Sequence, residues 1–322
     1  MDIFFLTLKQ MLMMFFLIAL GFLLRKKCIL PENAYVTMAK LETYIFVPAL
    51  SLFTQMTKCT VKTFTENSVL ILYGAVIVLL AIALAYPLSK LFVRNHASSP
   101  EAAYQRNIYK YALTFGNYGF MGNFIILGVW GSDFFYQYSL FTLVVTILCS
   151  GWGLYILIPK EQNVGLLQNL KKGLITPPMI ALLVGMAFGL LNLKPYVPDF
   201  LLTAFDNAGA CQGPVAMVLA GFVIGGYDFK KLLLNKKVYI ATAMRLIVIP
   251  AVLMIILKLL GTSKEIMTLA LICFATPLGL NTIVYPAAYG GDTETGASMT
   301  MISHTLSVIT IPLMYLLFIV LL

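Results

Sequence analysis

Apolar runs of about 20 residues, long enough to cross a hydrocarbon core at 1.5 Å per residue, recur along this chain with only short polar gaps. Ten can be drawn, at residues 3–24, 34–53, 68–92, 108–130, 134–158, 177–193, 200–225, 238–260, 265–289 and 297–322. The pattern predicts an all-α membrane protein of ten spans, with no stretch left over for a soluble module. The second and seventh spans are the least apolar. One carries Lys40 and Glu42, the other Asp206, Asn207 and Gln212, and each has a central proline, Pro48 or Pro214. The first run lacks a basic leader and a small-residue cleavage site and ends in Arg25-Lys26-Lys27, which reads as a retained, anchored helix rather than a secretory signal.

The second half echoes the first in order. Pro48 pairs with Pro214, Asn67 with Asn235, Asn123 with Asn281, and Gly131-Ser132-Asp133 with Gly290-Gly291-Asp292. These matches predict two five-helix repeats, residues 1–158 and 177–322, joined by a short linker at 159–176. Five is odd, so the second repeat lies upside down relative to the first, the arrangement of many secondary transporters, whose site lies where interrupted helices of the two halves meet. A scaffold or receptor with merely similar hydropathy is the alternative.

The fourth and ninth spans are the most interrupted. The fourth contains Gly116, Asn117, Gly119, Gly122 and Asn123, the ninth Thr276, Pro277, Gly279, Asn281 and Thr282. Glycine and proline weaken the helical ladder, and freed backbone groups are tolerated at membrane depth only when buried in protein or lining a wet cavity. Such breaks create half-helix N-termini that favour an anion and free carbonyls that favour a cation. Gly116, Asn117, Gly119, Asn123, Thr276, Pro277, Gly279, Asn281 and Thr282 are therefore the candidate substrate-binding residues. Gly185/Gly189 and Gly221/Gly225 instead fit close helix packing.

Hydrophobic residues make up 60% of the chain and charged ones 11%, where soluble domains hold about half and about a quarter. The net charge of +9 does not indicate nucleic acid, because its Lys and Arg sit between the spans. The loops after the odd-numbered spans hold more than twice as many of them as the opposite side. Both termini are thus predicted outside a cell membrane, plasma or inner, with the loop around Lys171 and Lys172 in the cytoplasm. Five scattered cysteines suggest neither disulfides nor a metal site and read as small packing residues.

Charges inside spans are costly. Arg245 either balances an anionic substrate or snorkels to the cytoplasmic headgroups. Glu42 is a candidate proton site, and Lys40, two residues away, shares no helix face with it. His304 is a candidate for proton coupling or a satisfied core residue. Asp206 reads as a cap or packing partner.

Gly116-Asn117-Tyr118-Gly119-Phe120-Met121-Gly122 resembles a crossover helix of the auxin efflux carrier family, which includes plant PIN-type carriers and bacterial organic-acid permeases. Ala275 through Asn281, Tyr289-Gly290-Gly291-Asp292 and Ser307 through Pro312 resemble its ninth and tenth helices. The resemblance implies a bile-acid-transporter-like fold in which helices 4 and 9 are broken and cross at the substrate site. It also implies a scaffold of spans 1, 2, 6 and 7, with spans 3–5 and 8–10 moving against it in an elevator cycle. Asn117 falls on the family's substrate-contacting asparagine. Where the family usually has a proline, this chain has Phe124, which leaves the fourth-span break resting on glycines. The short linker is similar to the permeases, implying substrates such as malate or malonate; an auxin-like acid is the other class the family implies. No cofactor is expected, the coupling ion is H+, Na+ or neither, and a homodimer through spans 2 and 7 is expected.

A membrane enzyme would need clustered acids or a nucleophile and base held together. The chain has no His-Glu-x-x-His, no Gly-x-Ser-x-Gly and no nucleotide-binding loop. A channel or sensor on the same fold remains the alternative to a carrier.

Overall fold

The computed structural model describes residues 2–93, 99–159, 165–288 and 291–321. Tyr289 and Gly290 of the ninth-span motif, and 160–164 of the linker, lie outside the described residues. Within them the chain is helical and has no strand. Helices α1 (Asp2–Lys26), α2 (Ala34–Leu41), α3 (Val47–Lys58), α4 (Val61–Asn67) and α5 (Val69–Leu88) lead to α6 (Pro100–Thr114), α7 (Asn123–Phe141), α8 (Leu143–Leu148) and α9 (Leu154–Leu157). They are followed by α10 (Leu166–Leu174), α11 (Pro177–Leu190), α12 (Asp199–Ala210), α13 (Gln212–Gly225) and α14 (Phe229–Leu234). The chain ends with α15 (Lys236–Ala243), α16 (Ile249–Leu259), α17 (Lys264–Ala275), α18 (Asn281–Ala288) and α19 (Glu294–Tyr315).

Among the described residues seven helical stretches are long and apolar enough to cross a membrane, or eight if α10 and α11, bent by 51° at their junction, count as one. The apolar pattern and this count differ for physical reasons. The run at 265–289 is two helices, α17 and α18, each too short to span alone. The runs at 108–130 and 134–158 correspond to a helical stretch Pro100–Phe141 followed by the shorter Leu143–Leu157. Inside the first of these, helical geometry fails at Gly131, with φ 80° and ψ −171°, a left-handed conformation that glycine adopts without a steric penalty. The linker is more than a connection: α10 ends on Lys171 and Lys172, cations that suit a helix C-terminus. It packs on the segment Cys149–Gly153, where the absent side chain of Gly151 makes room for Leu170.

Among the described residues five segments wind as π-helix: Glu42–Phe46, Tyr118–Gly122, Cys149–Gly153, Met244–Val248 and Leu316–Leu321. Two have a visible cause. Pro48 and Pro250 have no N–H to offer the carbonyls four residues earlier, and the widened turns lie directly before them.

Small residues set the closest packing. A Cβ on Gly221 would land on the Ile18 carbonyl, and one on Gly21 on the Val218 carbonyl, so α1 and α13 touch backbone to backbone. Gly185 and Gly189 bring α11 equally close to α3, at Leu52, Gln55 and Cys59. Helix α1 packs along α13, and α3 along α11 and α12, with α12 touching α13, whereas α5, α6, α16, α17 and α19 pack on one another and on α7 and α15. The sets meet where α1 packs on α7 and α19 and α3 on α7, and polar contacts add to that packing. Gln10 donates to the Phe124 carbonyl (2.9 Å), Gln55 to the Ser139 hydroxyl (2.6 Å), and Lys58 pairs with Asp133 (2.6 Å). Phe124 has a role the motif did not suggest: its ring occupies the notch left by Gly213 of α13. The matched aspartates have diverged in use, since Asp292 caps the start of α19 through the N–H groups of Glu294 and Thr295.

Replacing Gly221 by alanine forces α1 and α13 apart. Gly221→Ala is expected to cost about 1–3 kcal/mol, the usual penalty for overpacking, seen as a lower midpoint of thermal unfolding in detergent. An unchanged midpoint would mean that the contact is not tight.

Candidate functional site

Helix α6 stops at Thr114 because Phe115 turns extended (φ −108°, ψ 130°), and Asn117 (φ −83°, ψ 43°) precedes the resumption at Tyr118. Helix α17 stops before Thr276, also extended (φ −66°, ψ 148°), as the residue before a proline prefers to be; helix resumes at Asn281. The two interruptions meet. The Asn117 N–H donates to the Pro277 carbonyl at 2.7 Å, and the Leu278 N–H donates to the buried Ser303 hydroxyl at 3.0 Å.

The carbonyls left over at both helix ends converge on one cation. Arg245 is buried, donating from Nη1 to the carbonyls of Leu113 (3.3 Å) and Thr114 (3.0 Å) and from Nε to that of Thr276 (3.3 Å). It does not snorkel. Its π-helical turn faces the meeting point of α6 and α17, and a positive charge at two helix C-termini is favourable there.

Beside this junction lies a cavity of about 260 Å³. The breaks and the starts of both resumed helices line it, through Gly116, Asn117, Tyr118, Gly119 and Asn123 on one side and Gly279, Leu280 and Asn281 on the other. Three candidates, Thr276, Pro277 and Thr282, are buried behind this surface and hold the backbone instead. The opposite walls come from Thr43, Val47 and Ser51 and from Thr176, Pro178, Met179 and Leu182. Among the described residues no Lys, Arg, Asp or Glu lines it.

The two asparagines are held differently. Asn117 Nδ2 faces His304 Nε2 at 3.4 Å, while His304 Nδ1 lies 2.8 Å from the Thr300 carbonyl. A carbonyl can only accept and an amide nitrogen can only donate. His304 is therefore placed as a neutral ring that orients Asn117. Asn281 donates to the Tyr111 hydroxyl at 2.7 Å, and that hydroxyl lies 3.1 Å from Cys149 Sγ. Glu42 is fully buried, neither carboxylate oxygen has a hydrogen-bond partner among the described residues, and it does not reach the cavity, although the adjoining Thr43 does.

The family model described as membrane transport protein matches residues 6–169 and 162–315. The chain belongs to this family, that of the auxin efflux carriers. No curated protein matches the chain. As a member of a transport family with several apolar helices it is a multi-pass membrane protein.

In this auxin efflux carrier family member the motif residues form only one wall of the cavity. The hydroxyl-bearing wall, with Ser139, Thr142, Thr146 and Ser150 on one side and Thr43 and Ser51 on another, is absent from the sequence-derived candidates. Part of its signal was available: Ser139, Thr142, Thr146 and Ser150 recur every three or four positions along an otherwise apolar stretch, a spacing that places residues on one helix face. Cys149 is likewise a cavity residue rather than packing filler, and Cys28 and Cys211 are exposed.

Two glycines on the same wall should respond oppositely. A Cβ on Gly116 would collide with the Arg245 guanidinium and come within 2.6 Å of the Thr276 carbonyl, whereas one on Gly119 meets nothing within 4 Å. Gly116→Ala is expected to lower stability in detergent by about 1–3 kcal/mol and Gly119→Ala to leave it unchanged, read as thermal midpoints. Equal midpoints for the two variants would contradict this geometry.

Proposed function

We propose that the chain is a secondary carrier of a small organic anion, loaded in the cavity where the two interruptions meet. The observation that supports this most is the bond from Asn117 to Pro277 beside a cavity lined by the starts of two half-helices. First-turn N–H groups of a helix lack partners within it, and together with the helix dipole they make an anion site. Asn117 and Asn281 add amide donors on either side. A carboxylate of malate, malonate or an auxin-like acid has the charge and acceptor geometry for such a site.

In this reading the chain has ten spans in two inverted repeats, 1–158 and 177–322, with spans 4 and 9 broken and crossing. Spans 1, 2, 6 and 7 are a fixed scaffold and the others a moving domain that carries the site in an elevator cycle. The close packing of α1 on α13 and of α3 on α11 and α12 supports a fixed scaffold, which meets the other helices where α1 packs on α7 and α19 and α3 on α7. Both termini lie outside a plasma or inner membrane. Thr176 and Ser150, which line the cavity, then lie towards the cytoplasm, and the Lys58–Asp133 pair lies towards the opposite side. That is an inward-open carrier. The scaffold is the natural place for a homodimer through spans 2 and 7. The family and the uncharged cavity give an enzyme no support.

The test is uptake of labelled malate, malonate and indole-3-acetate into proteoliposomes, with and without a pH gradient, by the native chain and by Asn117→Ala. Saturable uptake of one solute, abolished in a folded variant, is expected. Non-saturating flux would favour a channel, and binding without flux a sensor.

A further inference from the structure

Helix α18 separates two cavities. Asn281 and Tyr285, one turn apart, line the cavity between the breaks, while Ile283, Val284 and Ala287 line a second pocket of about 450 Å³. The other walls of this pocket are the start of α2, at Tyr35 and Val36, and the end of α13, at Phe222 and Val223, with Arg25 from the last turn of α1. Its body is apolar, and among the described residues Arg25 is the one cation that lines it. That cation is held in place. Its guanidinium carbon stands 5.5 Å from the centre of the Phe222 ring, its side chain is 18% exposed, and the missing side chain of Gly225 leaves room for its stem. Its partner is not held: Nη2 meets Glu32 Oε1 at 3.0 Å, and the Glu32 side chain is 90% exposed. An ion pair with one end free in water contributes little. Lys26 and Lys27, both exposed, follow Arg25 on the side of the chain richest in Lys and Arg, which is where a bilayer presents its anionic headgroups.

We propose that this pocket binds an anionic phospholipid, its phosphate replacing Glu32 on Arg25 and one acyl chain lying between α13 and α18. A guanidinium offers two parallel donors that match a phosphate, and Lys26 and Lys27 add charge beside it. Phe222, Val223, Val284 and Ala287 give the chain apolar walls, where each buried methylene favours binding. Val36 is exposed as well as part of the lining, so the pocket is continuous with the outer face of α2. A soluble anion would gain the cation and leave the apolar walls unfilled. Helix α18 packs chiefly on α19, α9 and α6, and the lipid chain would be its link to α1 and α13. The site lies on the opposite side of α18 from the solute cavity and is independent of which solute crosses the membrane.

The experiment offers the full chain, in phosphatidylcholine nanodiscs, a phosphatidylglycerol whose acyl chain carries a photoactivatable diazirine, and maps the labelled residues by mass spectrometry. Label is expected around Phe222 of α13 and Val284 of α18. Unlabelled phosphatidylglycerol should compete about tenfold better than phosphatidylcholine of the same chains or glycerol 3-phosphate, the scale of a hydrogen bond to a charged group. Arg25→Gln should abolish that preference. Glu32→Gln should strengthen it, because the competitor for Nη2 is gone. Label confined to outward-facing residues such as Leu12 and Leu72, or equal competition by phosphatidylcholine, overturns the proposal. Glycerol 3-phosphate competing as well as the lipid also overturns it, in favour of a soluble phosphate. Glu32 is exposed, so its variant decides even if Arg25→Gln does not fold: unchanged or weaker phosphatidylglycerol binding in Glu32→Gln contradicts the exchange at Arg25. None of these readouts depends on transport, so they stand apart from the carrier reading.

Discussion

A helix that stops inside a membrane leaves backbone N–H and C=O groups that no water can satisfy, and everything distinctive in this protein follows from how those groups are satisfied. The break after Thr114 and the break before Asn281 are not independent defects. Each supplies a partner for the other, through the Asn117 N–H and the Pro277 carbonyl, and both deliver their C-terminal carbonyls to Arg245. Ser303 satisfies Leu278, and His304 holds the Asn117 amide. An unsatisfied group in hydrocarbon costs several kcal/mol, so neither break is stable without the other and the arginine. The cavity is what remains at the N-termini of the two resumed helices.

The same requirement explains where the chain departs from regular α-helix. The π-helical turns at Glu42–Phe46, Tyr118–Gly122 and Cys149–Gly153 each put a residue on the cavity, and the one at Met244–Val248 aims Arg245 at its floor. Widened turns rotate the following side chains and expose a carbonyl, at a cost borne by the tight contacts elsewhere. Those contacts are the backbone-to-backbone packing of α1 on α13 and of α11 on α3, built from glycines because van der Waals contact is the main attraction available between helices in lipid.

How much of this is legible in the residues depends on the scale of the signal. Hydropathy identifies a helical membrane protein, and the Gly, Pro and Asn residues of the fourth and ninth spans mark the breaks, because those residue types act on the backbone locally. Gly131 carries the same kind of mark, but the motif around it does not say that helix fails there. The hydroxyl wall is harder to see, since Thr142 and Thr146 bond to carbonyls of their own helix or to neighbouring hydroxyls and look like ordinary helix residues. The seating of Phe124 on Gly213 and the choice of Arg245 between lipid headgroup and protein interior are tertiary facts. Both joined residues lie far apart in the chain, and only packing decides them.

The central claim is that the cavity between the two breaks is where the solute binds. Gly119 faces open space on its wall, so Gly119→Cys, in a chain whose own five cysteines have been replaced, reports the cavity directly through its rate of reaction with a water-soluble thiol reagent. The thiol is expected to be labelled, and a transported solute to slow the labelling in proportion to its occupancy. Labelling at the same rate in the presence of every solute the protein transports would contradict that claim.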